Sequence, residues 1–162
     1  MHNVHILPYK TEEEFWKHYK ERYSTIFTKA EEFLRSTGGP GDDVIVFLRF
    51  VIDPPLYSSF SRRLPFLRSS SCGFDASEYE TTEMSRHDRH VPTSFYHRFT
   101  REACAFADKW AGGRLVSVLE GGYSDKALTS GAISHLAGLA EAGGLRVDKN
   151  WWSPDELNMV ST

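Results

Sequence analysis

Gly112-Gly113-Arg114-Leu115-Val116-Ser117-Val118-Leu119-Glu120-Gly121-Gly122-Tyr123 is the stretch that decides the fold. Its centre is a short β-branched and aliphatic run. One glycine pair before it stops a helix, and a second pair after it leads straight into a tyrosine. The pattern predicts a strand that delivers Tyr123 on a tight turn. Ligands of open α/β sheets sit beyond the carboxyl ends of the strands, so a polar aromatic there is a candidate for chemistry. Cys72-Gly73-Phe74-Asp75 has the same form and follows the apolar Val44-Ile45-Val46-Phe47, with a dissimilar segment in between. The chain therefore reads as two strand ends, one carrying an aspartate and the other a tyrosine.

Working outward, Pro92-Thr93-Ser94 opens a helix with Phe95, Phe99, Ala103, Phe106 and Trp110 on one face, and Gly112 closes it. A helix between two strands makes a βαβ unit, whose parallel strands aim Asp75 and Tyr123 at the same sheet edge. Towards the start, Asn3 to Leu7 reads as a short strand. Thr11 then caps a helix with Glu12, Glu13 and Glu14 in its first turn. Phe15, Tyr19, Tyr23, Ile26, Phe27, Ala30, Phe33 and Leu34 continue it with one wide apolar face, expected to pack on a sheet. After Tyr123, Ser124 or Asp125 caps a further helix, with Leu128, Ala132, Leu136 and Leu139 expected inward and His135 beside them as a packed histidine. Ser153-Pro154-Asp155-Glu156 begins a last, truncated helix within residues 151–162. Residues 48–71 mix prolines, serines, arginines and bulky apolar residues without a period, and read as an insertion of non-native origin, with a genuine surface loop as the alternative, interrupting a domain of residues 1–150.

The totals bound the function. A length of 162 residues suits one domain. A formal charge of -3 supplies no basic surface for duplex binding, so no direct nucleic-acid partner is expected. The two cysteines, Cys72 and Cys104, lack paired spacing and fit a reducing compartment. No run approaches ~18 apolar residues and no secretory leader opens the chain, so the expected setting is nuclear or cytoplasmic, without a membrane.

Gly73-Phe74-Asp75-Ala76 followed by Leu119-Glu120-Gly121-Gly122-Tyr123 resembles the C-terminal part of the zinc-dependent histone deacetylase family in its class II-like form. Met84-Ser85-Arg86-His87 and Val91-Pro92-Thr93-Ser94-Phe95-Tyr96 resemble the fungal branch. The resemblance covers nearly the whole chain outside residues 48–71. It implies an α/β chain with part of an arginase/deacetylase-like fold, parallel strands flanked by helices, without the N-terminal half. It further implies that Asp75 matches a zinc ligand and Tyr123 the transition-state tyrosine. Gly121, Gly122, Phe74 and Met84 are then expected along the acyl-lysine channel, although the family phrase Asp-Pro-Leu-Gly is absent after Asp75.

Amide hydrolysis by a metal needs a Lewis acid, a bound water, an acid/base and a donor for the oxyanion. In the family, an aspartate and an Asp-x-His pair hold zinc, and adjacent histidines move protons. The family places both pairs upstream of the strand where this sequence begins. One carboxylate cannot complete the usual three protein ligands. The expectation is a deacetylase fragment acting, when complete, with Zn2+ on acetyl-lysine of histones or other proteins. By itself this chain is expected neither to retain zinc nor to deacetylate. A noncatalytic α/β interaction module derived from a deacetylase is the alternative. Another metal hydrolase of arginase-like fold is disfavoured by the Gly-Gly-Tyr turn.

Overall fold

Strand β1 (Val46–Phe50) pairs in parallel with β2 (Leu115–Leu119), which sets Val46 beside Leu115, Leu48 beside Ser117 and Phe50 beside Leu119. The structure, a computed structural model, describes residues 6–50, 73–83, 90–119, 121–153 and 155–157. Pairing through Phe50 corrects the sequence reading, which placed residues 48–50 in the interruption. All five residues of β2 find partners, and Leu48 is buried in the core, so the ladder holds these residues in the strand. Residues 51–71 lie outside the described residues. So does most of the strand expected near the start, where Ile6 and Leu7 are irregular.

Thr11 caps α1 (Glu12–His18) as expected, its hydroxyl accepting from the Glu14 N–H at 3.2 Å. The chain then passes through a π-helical turn, Tyr19–Tyr23, before α2 (Thr25–Ser36). The Ser24 N–H reaches back five residues to the Tyr19 carbonyl at 2.9 Å. Spacing explains the break. Phe15, Tyr19, Tyr23 and Phe27 lie four apart, a period that drifts about 40° per step around an α-helix of 3.6 residues per turn. Local unwinding slows that drift and keeps the aromatics on one side.

That side meets a helix, in a core that also takes in Leu48 of β1. Helix α3 (Ser94–Ala111) carries Phe95, whose ring centroid lies 5.8 Å from Phe15 and 5.9 Å from Tyr19. Phe27 lies 5.3 Å from Phe99 and 5.8 Å from Phe106. The buried Tyr19 hydroxyl donates to Glu102 at 2.5 Å. Burial first, and then the Glu102 carboxylate, push the phenol well above its ordinary range. Gly112 ends α3 in a left-handed conformation, φ +55°, and opens the turn into β2.

Helix α4 (Asp125–Ala142) lies against α3 on a face other than the leucine stripe. Ala127, Ser130, Gly131, Ser134, His135, Ala137 and Gly138 are its buried residues, while Leu128 and Leu136 are 46 % and 58 % exposed. Small residues decide this by permitting contact at backbone distance. A Cβ on Gly138 would stand 2.6 Å from the His97 carbonyl oxygen and 2.9 Å from Thr100 Cβ. Polar atoms then knit the interface. The Ser134 hydroxyl donates to the Thr93 carbonyl at 2.7 Å and accepts from the His97 N–H at 3.1 Å, completing the first turn of α3. His135 spans three elements, with Nδ1 2.7 Å from Thr100 Oγ1 of α3 and Nε2 3.0 Å from Ser117 Oγ of β2. Beyond α4, Trp152 stacks on His97 with ring centroids 4.8 Å apart, and residues 155–157 take up the expected helical start.

Two outcomes follow from this packing. Gly138→Ala would ordinarily stabilise a helix by about 1 kcal/mol, but here the new methyl meets backbone, so a net loss of about 1–3 kcal/mol is expected. Leu136→Ala should stay within about 0.5 kcal/mol of the parent. Denaturation midpoints of both variants test which face is buried, and the reverse ranking would refute the assignment. Burial also lowers the His135 pKa from 6.5 to about 4. As pH falls from 6.5 towards 4, the unfolded chain takes up a proton that the folded chain resists, so stability declines across that window by roughly 3 kcal/mol at most. An NMR titration of the His135 ring should show a midpoint near 4; one near 6.5 would mean the ring is not buried as described.

Candidate functional site

The two turns singled out from the sequence meet. Residues Phe74–Ala76 form a single 3₁₀ turn, held to α3 by the Tyr96 hydroxyl, which donates to the Gly73 carbonyl at 2.9 Å. Gly121 and Gly122 come one residue after the end of β2, with φ of +77° and +92°, a backbone region that L side chains avoid. Space excludes side chains there as well. A Cβ on Gly121 would lie 2.9 Å from Asp75 Oδ1, and one on Gly122 would lie 2.7 Å from Phe74 Cβ. The Asp75 carboxylate thus rests directly on Gly121, at the carboxyl edge of the parallel sheet. Asp75 is buried, 4 % exposed, whereas Tyr123 is 58 % exposed two residues further on.

Phe74, expected along the channel, belongs to the core. It has no exposed surface, its ring centroid lies 4.8 Å from that of Tyr96, and a Cβ on Gly131 would stand 2.4 Å from its ring. The whole turn is buried, Phe74, Asp75 and Ala76 alike, with the Phe74 ring taken up by α3 and α4 and the Asp75 carboxylate against Gly121. Met84 lies outside the described residues. Cys104 is half-buried on α3, where burial first and Asp108 second push its thiol up, the reverse of an activated nucleophile.

Glu80 is the participant that sequence reading passed over. It lies in a polar stretch with no period, and only the structure shows it buried. Its Oε2 accepts from the Tyr123 N–H at 2.7 Å and the Ser124 N–H at 3.4 Å, while Oε1 accepts from the Thr81 N–H at 2.9 Å. Burial alone would raise its pKa. The N–H donors of Tyr123, Thr81 and Ser124, with the Ser124 hydroxyl, outweigh burial and hold the carboxyl below its usual range. Ser124 completes the join. Its hydroxyl donates to the Tyr79 carbonyl at 3.0 Å and accepts from the Ala127 N–H at 3.1 Å, capping α4.

The donor set does not make a zinc site from these residues. Among the described residues no three His, Cys, Asp or Glu side chains converge as a metal requires. Asp88-Arg89-His90 does have the Asp-x-His form, but it follows Asp75 in the chain instead of preceding it. Asp88 lies outside the described residues, and His90 is exposed. What the described site offers is the buried Asp75 carboxylate and the exposed Tyr123 phenol on abutting turns, with a second buried carboxylate, Glu80, taken up by the N–H groups of Tyr123, Ser124 and Thr81. Among the described residues no helix is long and apolar enough to cross a membrane.

The histone deacetylase domain model matches residues 52–139, a span that includes both turns and Glu80. Histone deacetylase HOS3 of Saccharomyces cerevisiae is 40% identical over 165 aligned positions, which cover 98% of this chain and 20% of the yeast protein. Type-2 histone deacetylase 1 of Dictyostelium discoideum is 42% identical over 79 residues, covering 48% of this chain and 5% of that protein. The chain thus spans about a fifth of the length of the yeast relative. Asp75 and Tyr123 both fall within the matched span, and the chain belongs to the histone deacetylase family.

Proposed function

We propose that this chain is the C-terminal part of a lysine deacetylase catalytic domain and supplies one half of its reaction centre. The observation that carries this reading is the seating of Asp75 against Gly121 at the carboxyl end of β2, two residues before the exposed Tyr123. In this reading the substrate is acetyl-lysine in histones or other proteins. Gly121, Gly122 and Met84 border the channel that admits the acyl-lysine chain. Tyr123 donates its phenolic O–H to the oxygen that gains negative charge as water adds to the acetyl carbonyl. A donor fixed beforehand at that oxygen stabilises the transition state more than the ground state.

Asp75 is the single ligand this chain would contribute to Zn2+, the metal of the family, which polarises the carbonyl and activates water when a full ligand set holds it. The remaining ligands and the proton-moving histidines would come from sequence preceding Met1. The isolated chain is accordingly proposed to be inactive, and the complete protein to work in the nucleus or cytoplasm. A protein partner is implied, and direct contact with nucleic acid is not.

The test compares acetate release from acetyl-lysine peptides by the full-length gene product and by the 162-residue chain. Turnover is expected only from the former. Tyr123→Phe in that product should lower kcat by roughly 100- to 1000-fold with KM little changed, the usual cost of one oxyanion donor. A full-length product with no turnover would support the noncatalytic interaction module instead.

A further inference from the structure

The deacetylase reading assigns a role to the phenol of Tyr123 but leaves open how a half-exposed tyrosine on a two-glycine turn is held in one place. Glycines at φ +77° and +92° give the turn its shape at the cost of backbone freedom. The phenol itself has no role in fixing that turn. The restraint comes from the opposite segment, where the buried Glu80 carboxylate takes the N–H groups of Tyr123 and Ser124 at 2.7 and 3.4 Å. A charged acceptor on backbone donors makes a shorter and stronger bond than a neutral one. The same carboxylate stands at the start of α4, whose N-terminal end favours negative charge.

We propose that Glu80 is the positioning residue for Tyr123: its carboxylate locks the tyrosine-bearing turn to the aspartate-bearing turn, so that the phenol meets the reacting carbonyl in a fixed place. Glu80 touches neither substrate nor metal and acts through the main chain of Tyr123. Its segment carries both partners of the clasp, since Asp75 precedes it by five residues and the Tyr79 carbonyl accepts from Ser124. Losing the charge would free the turn without emptying the core, because Phe74 remains wedged beneath it. The titratable groups on the two segments are Asp75, Glu78, Tyr79 and Glu83 on one side, and Tyr123, Asp125 and Lys126 on the other.

This role rests on the proposed deacetylase reading, and two measurements separate their fates. In the 162-residue chain, the amide protons of Tyr123 and Ser124 should titrate together in NMR, with a midpoint below the ordinary glutamate value of 4.5. Glu80→Gln should abolish that titration and reduce hydrogen-exchange protection at Tyr123 about tenfold or more, leaving Tyr96 unchanged. Amides that do not titrate, or protection unchanged in Glu80→Gln, would overturn the proposal even if the full-length protein is active. In the full-length product, Glu80→Gln should lower kcat about tenfold with KM within about twofold, and have little further effect when added to Tyr123→Phe. An equal loss in both backgrounds would show that Glu80 does not act through Tyr123 and would overturn the role. A full-length parent without turnover refutes the deacetylase reading alone, and the amide titration then decides whether Glu80 holds the turn.

Discussion

Phe74 sits in a slot that exists because two glycines line it. A methyl group at Gly131 would stand 2.4 Å from its ring, and one at Gly122 would stand 2.7 Å from its Cβ. These contacts come from different parts of the chain, one from the middle of α4 and one from the turn after β2. The fully buried ring therefore fixes α4, the end of β2 and its own turn against one another. Asp75 and Gly121 are placed as a consequence, since each neighbours a residue of that slot. A close-packed interior transmits such a constraint because nothing beside the ring can give way cheaply.

Polar groups provide the rest of the positioning, and they act on the ends of elements. Ser134 completes the first turn of α3, Ser124 caps α4, Glu80 takes the N–H groups before it, and Glu78 accepts from the Thr93 N–H at 2.7 Å. Helix ends carry N–H groups that the helix cannot satisfy, so each buried end needs an outside acceptor. Apart from Ser124, which caps its own helix, the acceptors here belong to neighbouring segments, which turns a local requirement into tertiary fixation. His135 does the same for the middle of the interface, joining Thr100 to Ser117 across α4.

What was legible in the sequence followed strong local rules. Thr11 and Ser124 are caps with hydroxyl acceptors in place, Gly112 is the left-handed stop of α3, and residues 115–119 are a strand. The face of α4 was misread at Leu128 and Leu136, because leucines were weighed by hydrophobicity alone, while Ala132 packs against the core as expected. Gly131, Ser134 and Gly138 win by letting backbone and side chains approach, a property that a hydrophobic period does not register. The π-helical turn was hidden for a related reason, since a four-residue aromatic spacing looks helical until its drift is followed across several turns. Glu80 had no pattern at all. Its place depends on a turn more than forty residues away in the chain, and nothing beside it in sequence announces that contact.

The positioning and the chemistry of this site have different reach. Among the described residues, the glycine contacts, the Phe74 slot and the Glu80 and Ser124 bonds set Asp75 relative to Tyr123, and they lie among residues 73–131. Metal chemistry is another matter, because a zinc ion needs donors converging from several sides, and the described residues bring no group of three such donors together. In the proposed reading the segment acts as a preset jaw, whose reactivity waits on groups that the rest of the domain would bring against it. Such a division suits the proposed amide hydrolysis, where an oxyanion donor contributes in proportion to how little it must move during the reaction.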